Sequence, residues 1–438
     1  MSSQDIIEAR ARRAVELVTS VEASVLRGEP ADVALSRSLR RDRRLGGRDR
    51  RFISETVFSH FRWRGWLERL QSLSLDARCA LAYLLDARET SPVAERLLAR
   101  GGLAPDCLAP QGGRTVIEKG VALRKALGER VPPYLPGFAP ELRSLVPAWA
   151  LECIHRPGGE PEERFAEKLV EAFQNRPPTW LSLPSSHHQT LIQLIGSKKS
   201  AATRHPAIES ALGFSGSPDL ELARAKLGAF FWVQDLASQA IARFCEPRLD
   251  ESWWDACAGA GGKTLALLQL THARLRVLAT DRRAGVLQNL RRRVEEARLG
   301  TVATGVIDAL CDSPQDRQFD GILVDAPCSG LGTWNRNPDA RWRTERDEPN
   351  RKALLQQKLL DRVCGKVRKG GKLVYAVCTL SEAETVKVVS AFLAEHKEFS
   401  LLAGPHPLGA EPTDGNLWIW PWQGPCDGMF AARFVRDS

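Results

Sequence analysis

Apolar positions in the first hundred residues recur at three- and four-residue steps, the period of a helix with one buried face. Ile7, Ala11, Ala14, Leu17, Val18, Val21 and Val25 form the first stripe, which Gly28-Glu29-Pro30 ends. A second runs from Phe52 through Val57, Phe61, Trp63 and Trp66 to Leu70, and residues 77–85 and 92–98 continue the pattern. Gly101-Gly102, Gly112-Gly113, Pro132-Pro133 and Pro136-Gly137 mark residues 101–140 as a connector with a short helix at its centre. Residues 141–225 mix a helix at 164–173 with strand-like pieces around Trp180-Leu181-Ser182-Leu183. From residue 251 short apolar runs alternate with helical stretches. Strands are predicted at 253–256, 276–280, 302–307, 321–324 and 372–377, and helices at 263–271, 284–297, 350–367 and 383–396.

That alternation predicts an α/β fold, a doubly wound and mostly parallel sheet covered on both faces. The all-helical start makes a separate domain. The expected division is a helical domain with its connector at 1–135, a small α/β subdomain at 136–225 and a catalytic α/β domain at 226–438. Ligands of such sheets bind outside the carboxyl ends of the strands, so the informative residues belong just after each strand.

Composition adds three exclusions. Hydrophobic residues at 43% and charged residues at 26% exclude wholesale disorder. No run of about 18 apolar residues is present to span a bilayer, and Glu8, Arg10, Arg12, Arg13 and Glu16 break up any signal-peptide core. Ten cysteines without a C-x-x-C pair make neither a disulfide scaffold nor a zinc ribbon. The adjacent His187-His188 pair has no spaced carboxylate or thiol and reads as a polar loop; no metal is expected. The expectation is a reduced cytoplasmic protein acting as a monomer, with no membrane partner.

The net charge of +9 is uneven: residues 1–100 carry 19 Arg, no Lys and 14 acids. Eight Arg fall within residues 37–51, opposed only by Asp42 and Asp49. Such a stripe is either a solvated helix face or a contact for a phosphate polymer, and Arg-only usage favours nucleic acid.

The first predicted strand runs into Asp255-Ala-Cys257-Ala-Gly259-Ala-Gly261-Gly262-Lys263-Thr264. A P-loop needs Gly where Cys257 stands, and a dinucleotide fingerprint needs a third Gly where Thr264 stands, so both readings fail. What remains, Asp-x-x-x-Gly-x-Gly on a strand-to-helix turn, resembles S-adenosylmethionine-dependent methyltransferases. Cys257, Ala258, Gly259, Ala260, Gly261, Gly262 and Lys263 then form the cofactor turn, with Asp255 ionised toward the cofactor's amino end. Asp281 ends the second strand, placed for the ribose hydroxyls, and Asp308 the third, placed for the adenine amino group. An Asp after a strand is more often a helix cap, but three successive ones behind one Gly turn are hard to read as caps alone.

The fourth strand runs into Asp325-Ala-Pro327-Cys328-Ser-Gly330, and the fifth ends at Cys378-Thr379. A lone Cys is by default a small buried hydrophobe; two at neighbouring strand ends beside an acid suggest covalent chemistry. With these residues the stretch 226–438 resembles the RsmB–Nop–Sun family of RNA cytosine-C5 methyltransferases. Val233-Gln234-Asp235, Leu373-Val-Tyr-Ala-Val-Cys378 and Asp427-Gly428-Met-Phe430 match it further. Arg336-Asn-Pro338-Asp339-Ala-Arg-Trp342-Arg343 is similar to the bacterial 16S rRNA branch, and Arg48-Asp-Arg-Arg51-Phe52 to its NusB-like RNA-binding domain. The chain departs from the pattern at Gly259-Ala260 (usually Ala-Pro), at Ala376-Val377 (usually Ser-Thr) and at Ala383-Glu384-Thr385 (usually Glu-Glu-Asn). The resemblance implies that Cys378 attacks cytosine C6, Asp325 hydrogen-bonds the base, and Cys328 assists proton removal and release. It implies S-adenosylmethionine as cofactor and rRNA of the small subunit as partner. Two alternatives stay open: a DNA cytosine-C5 methyltransferase, in which the cysteine after proline is the nucleophile, and an inert RNA-binding assembly factor.

Overall fold

The first apolar stripe folds as α1 (Ser3–Leu26), opened by a capping box in which Ser2 and Asp5 exchange side-chain-to-backbone hydrogen bonds. α2 (Ala31–Arg41), α3 (Gly47–Leu67), α4 (Leu75–Asp86), α5 (Pro92–Arg100), α6 (Val116–Leu127), α7 (Ala148–Cys153) and α8 (Glu162–Gln174) follow. The computed structural model describes residues 2–42, 45–128, 140–197, 200–216, 218–228, 230–314 and 317–437. Arg43 and Arg44 of the basic stripe, and Pro132-Pro133 and Pro136-Gly137 of the connector, lie outside the described residues.

Two compact units are present, and they differ from the expected three-part division. The first comprises Met1–Glu152, Arg156–Asn175 and Trp334–Arg346; the second comprises Cys153–His155, Arg176–Thr333 and Asp347–Ser438. Residues 136–225 therefore form no unit of their own. α8 joins the helical unit because Glu171 accepts the Val116 N–H at 2.8 Å and Phe173 packs its ring on Trp334. Trp334–Arg346, expected in the catalytic domain, also belongs to the helical unit. There Asp339 accepts the Ala31 N–H of α2 at 3.1 Å, and the fully buried Arg341 donates to the carbonyls of Leu145, Phe173 and Trp334. Burial, with the Arg62 charge nearby, brings the Arg341 pKa down to about 9. Asp86, the last residue of α4, accepts from Ser59, Arg62 and Trp63 of α3. Burial works against its charge, but Arg62 and Lys119 hold its pKa below the usual value.

The second unit carries two sheets. In the small one β1 (Thr179–Ser182), β2 (Ala202–Arg204), β3 (Ala211–Phe214) and β4 (Trp232–Val233) lie in the order β2-β3-β1-β4, antiparallel throughout. His187-His188 is not a loop: His188 opens the helix His188–Ile195 and is 2% exposed, drawn inward on the face that carries Leu191 and Ile195. The large sheet holds β5 (Ser252–Asp255), β6 (Arg276–Asp281), β7 (Ala303–Val306), β8 (Phe319–Asp325), β9 (Val367–Val377), β10 (Phe399–Leu401), β11 (Asn416–Ile419) and β12 (Met429–Arg436). Its order is β10-β12-β9-β8-β5-β6-β7, with β11 on β12; the stretch from β9 to β7 is parallel, and β12 joins β9 antiparallel.

Both faces are apolar. Trp253 and Trp254 are successive on β5, point to opposite faces and anchor separate cores. Gly321 on β8 makes room for the first: a Cβ there would lie 2.2 Å from the Trp253 ring. The helices Gly262–Leu270, Ala284–Glu296 and Glu348–Cys364 connect the parallel strands, so every β-to-α turn of interest opens at the carboxyl edge. No helix among the described residues is long and apolar enough to cross a membrane.

Candidate active site

β8 and β9 are neighbours in parallel register, with Asp325 opposite Ala376. Asp325 is the last residue of β8 and Cys378 the first after β9, so the two chain ends leave the sheet side by side. Three residues past Asp325, the Cys328 Sγ comes within 3.2 Å of the Cys378 Sγ. All ten cysteines are free thiols. The hydrogen bond with Cys378 and burial push the Cys328 pKa well above that of an ordinary thiol. Cys328 is thus held protonated beside its neighbour.

Lys263, read from sequence as part of the cofactor turn, instead points to the thiols' side of the site. Its Nζ lies 2.7 Å from Asp325 Oδ2, and the side chain is 8% exposed. Burial favours the neutral amine, but the Asp325 charge overrides it and raises the Lys263 pKa. The pair is ionic.

The turn after β5 is shaped by its glycines. Gly261 has φ +80°, and a Cβ there would lie 2.0 Å from Leu290, so only glycine lets the helix Ala284–Glu296 pack this close. Gly259 has φ +53°, and a Cβ on it would meet only Arg283 Nη2 at 3.9 Å, leaving that side of the turn open. Ala258 donates to the Thr280 carbonyl at 2.9 Å, and the Ala260 carbonyl accepts from Arg293. Cys257 is partly buried; burial and the charges of Asp255, Asp325, Asp281 and Asp308 all raise its pKa, so the four strand-end acids converge on the turn.

Those acids differ in what they offer. Asp281 Oδ2 accepts from the Gly259 N–H at 3.1 Å and Arg283 Nη2 at 3.1 Å, while Oδ1 accepts from Arg283 N and Nε, both at 2.9 Å. Burial opposes its charge, and these donors, Arg283 first, still keep its pKa below the usual value. Asp308 Oδ1 accepts the Leu310 N–H at 3.1 Å and so also caps its own turn. Asp255 departs from expectation. It is 1% exposed, turned inward to accept from the Thr264 hydroxyl at 2.6 Å, and burial raises its pKa to about 7. An acid so placed ties the turn to the following helix rather than facing a ligand in the open.

Comparison with known proteins follows the same line. Residues 242–435 match the family described as 16S rRNA methyltransferase RsmB/F. The ribosomal RNA small subunit methyltransferase B of Vibrio vulnificus is 30% identical over 298 residues, 67% of this chain and 67% of its own. The chain belongs to the RsmB/F family.

Solved structures agree on the RsmB/F fold. PH0851 superimposes with a TM-score of 0.71 at 20% identity, over 96% of this chain and 99% of that one. NSun6 from Pyrococcus horikoshii, solved with the S-adenosylmethionine analogue SFG, gives 0.52 at 19% identity, over 63% of this chain and 95% of that one. The cofactor of this RsmB/F chain is S-adenosylmethionine. The residues present suit it: an open glycine turn and a carboxylate at the end of β6. Sequence reasoning missed two further groups, the Lys263–Asp325 contact and the fully buried Glu384 behind the thiols. A lysine after Gly-Gly gives no sign of which carboxylate it will reach, and Glu384 falls in the first turn of the helix predicted at 383–396, where an acid reads as an ordinary helix-end residue.

Proposed function

We propose that this RsmB/F protein methylates cytosine C5 in rRNA of the small subunit, with Cys378 bonded transiently to C6 of the base. The observation that carries the reading is the pair of thiols 3.2 Å apart at adjacent strand ends, beside the Lys263–Asp325 ion pair. Cytosine C5 is a poor nucleophile until a group adds at C6. The Cys378 thiolate forms that bond, and the electron pair of the C5–C6 double bond moves into the ring. Asp325 accepts from the base's amino group, and Lys263, with one ammonium hydrogen on Asp325, has two left for the charge that develops on the ring. S-adenosylmethionine supplies the methyl group that C5 receives. Once Cys378 is bonded to C6, the hydrogen bond that raises the Cys328 pKa is lost. Cys328 gives its proton to solvent, takes the C5 proton as thiolate, and the C6–S bond breaks to restore Cys378 as thiolate.

This division of labour is supported by the family resemblance, in which the cysteine after the last parallel strand attacks; the two thiols themselves share one contact of 3.2 Å in which either sulfur can be the donor. In the DNA-type arrangement the cysteine after Pro327 would attack, and Cys378 would have no task. RNA as substrate is supported by the family and by what the Vibrio vulnificus relative is named for. The Arg-rich helical unit is suited to bind it, in the manner of a NusB-like domain.

Transfer of labelled methyl groups tests the reading. Label should enter small-subunit rRNA and map to a single class of base, 5-methylcytosine, while duplex DNA stays unlabelled. Label in DNA, or on another base of the RNA, contradicts it.

A further inference from the structure

We propose that Glu384 is a positioning residue that ties the two cysteine-bearing loops together and thereby sets the spacing of the thiols; the inference rests on the two-thiol mechanism above. Glu384 ends a one-turn helix (Glu382–Glu384) shortly after Cys378 and is 0% exposed. Its Oε1 accepts the Ser329 backbone N–H at 2.8 Å and the Gln356 amide at 3.0 Å. Its Oε2 accepts the Ser329 hydroxyl and the Thr379 hydroxyl, the latter at 3.2 Å. Ser329 follows Cys328 and Thr379 follows Cys378, so one oxygen gathers the residue next to each thiol. The two hydroxyls also lie 3.0 Å from each other.

The surroundings fix the carboxylate in turn. The Tyr375 hydroxyl on β9 lies 2.6 Å from the Glu384 carbonyl and 2.8 Å from Gln356 Oε1, its one hydrogen shared between them, and Gln356 also donates to the Pro327 carbonyl at 3.0 Å. Every donor to the carboxylate is neutral. A buried acid without a cation is an expensive way to fill space, whereas an acceptor with two oxygens is what four converging donors require. The titratable groups facing it are Cys328 and Tyr375, and its charge is among the causes that raise both their pKa values. Glu384 thus acts on Cys328 twice, by tethering its loop and by disfavouring its thiolate.

Glu384→Gln tests this, since the amide keeps the size but turns one acceptor into a donor. Diamide, a diazene that takes one hydrogen from each thiol and becomes the hydrazine as the S–S bond forms, reads the spacing without RNA. The Cys328–Cys378 disulfide, identified by peptide mapping, should form on the order of tenfold more slowly in the variant. In turnover, kcat should fall by roughly 10–100-fold with KM for both substrates unchanged, as misplaced groups cause. Cys328 should ionise at lower pH, so the rise of the surviving activity with pH should move to lower pH, which a merely structural role would not do. Wild-type disulfide rate and pH profile overturn the proposal. Should the variant fail to fold, Ser329→Ala, Thr379→Val and their double variant replace it: effects on kcat that are not additive support a shared carboxylate, and additive ones overturn it. The two layers fail separately. If Cys328→Ala leaves no trapped RNA while Glu384→Gln still slows the disulfide, the mechanism is wrong and the tether is kept. If RNA is trapped and the disulfide rate is unchanged, the tether is wrong.

Discussion

All four lone-pair positions of the Asp281 carboxylate are taken, one by the Gly259 N–H and three by Arg283. Two of the three come from the Arg283 side chain, which is 62% exposed and free to swing into solvent. On the proposal that Asp281 holds the ribose of the cofactor, the hydroxyls would have to displace that guanidinium and could leave the backbone bonds in place. Asp281→Ala removes a charge-assisted acceptor, typically about 1.5–3 kcal/mol, so cofactor affinity should fall by roughly one to two decades. Arg283→Ala should not weaken binding at all. Calorimetry on the folded variants checks both, and wild-type affinity in Asp281→Ala removes the ribose assignment. At this scale the sequence revealed residue types better than directions. Asp255 and Asp281 both follow strands, yet one is turned in against Thr264 and the other faces the turn, because burial and partner choice are set by elements far apart in the chain.

The same distinction holds among the elements. α1 was legible because its stripe is regular and its buried face complete, and the parallel strands because short apolar runs alternate with helices. α2 was not. It has only Ala31, Ala34 and Leu35 as a buried face, its N-cap Pro30 makes no side-chain bond, and Asp339, 308 residues away, takes its first N–H. β12 was missed because six of its eight residues are buried in unbroken succession, which leaves no alternation to read. α2 also narrows the basic stripe. Arg37 pairs with Glu29, Arg51 with Glu55, and Arg50 donates to the carbonyls of Asp42 and Leu45, so those charges are occupied. Arg40 and Arg41 end α2 exposed to solvent. Replacing both by Ala should flatten the salt dependence of RNA binding by up to about 0.7–0.9 log unit per lost phosphate contact, leaving cofactor affinity alone. Filter binding across a salt series shows the change; an unchanged slope assigns the pair to a solvated face.

For the whole molecule, the chain brings a glycine turn, an acid–lysine pair and two thiols to one carboxyl edge of a single sheet. It also leaves that unit just after the Cys328 loop to place Trp334–Arg346 among the helices before returning for β9. No local pattern in the sequence marks that excursion, since Arg341 and Asp339 look like surface charges until Leu145, Phe173 and Ala31 are set around them. The central claim, that Cys378 bonds the base and Cys328 releases it, has a direct test in denaturing electrophoresis of protein incubated with RNA and S-adenosylmethionine. Cys328→Ala should keep RNA attached through Cys378, because attack and transfer proceed while loss of the C5 proton is slowed, typically about 10²–10⁴-fold for a general base. Cys378→Ala should give neither adduct nor product. The reverse, an adduct in Cys378→Ala and none in Cys328→Ala, would contradict the account and make Cys328 the nucleophile.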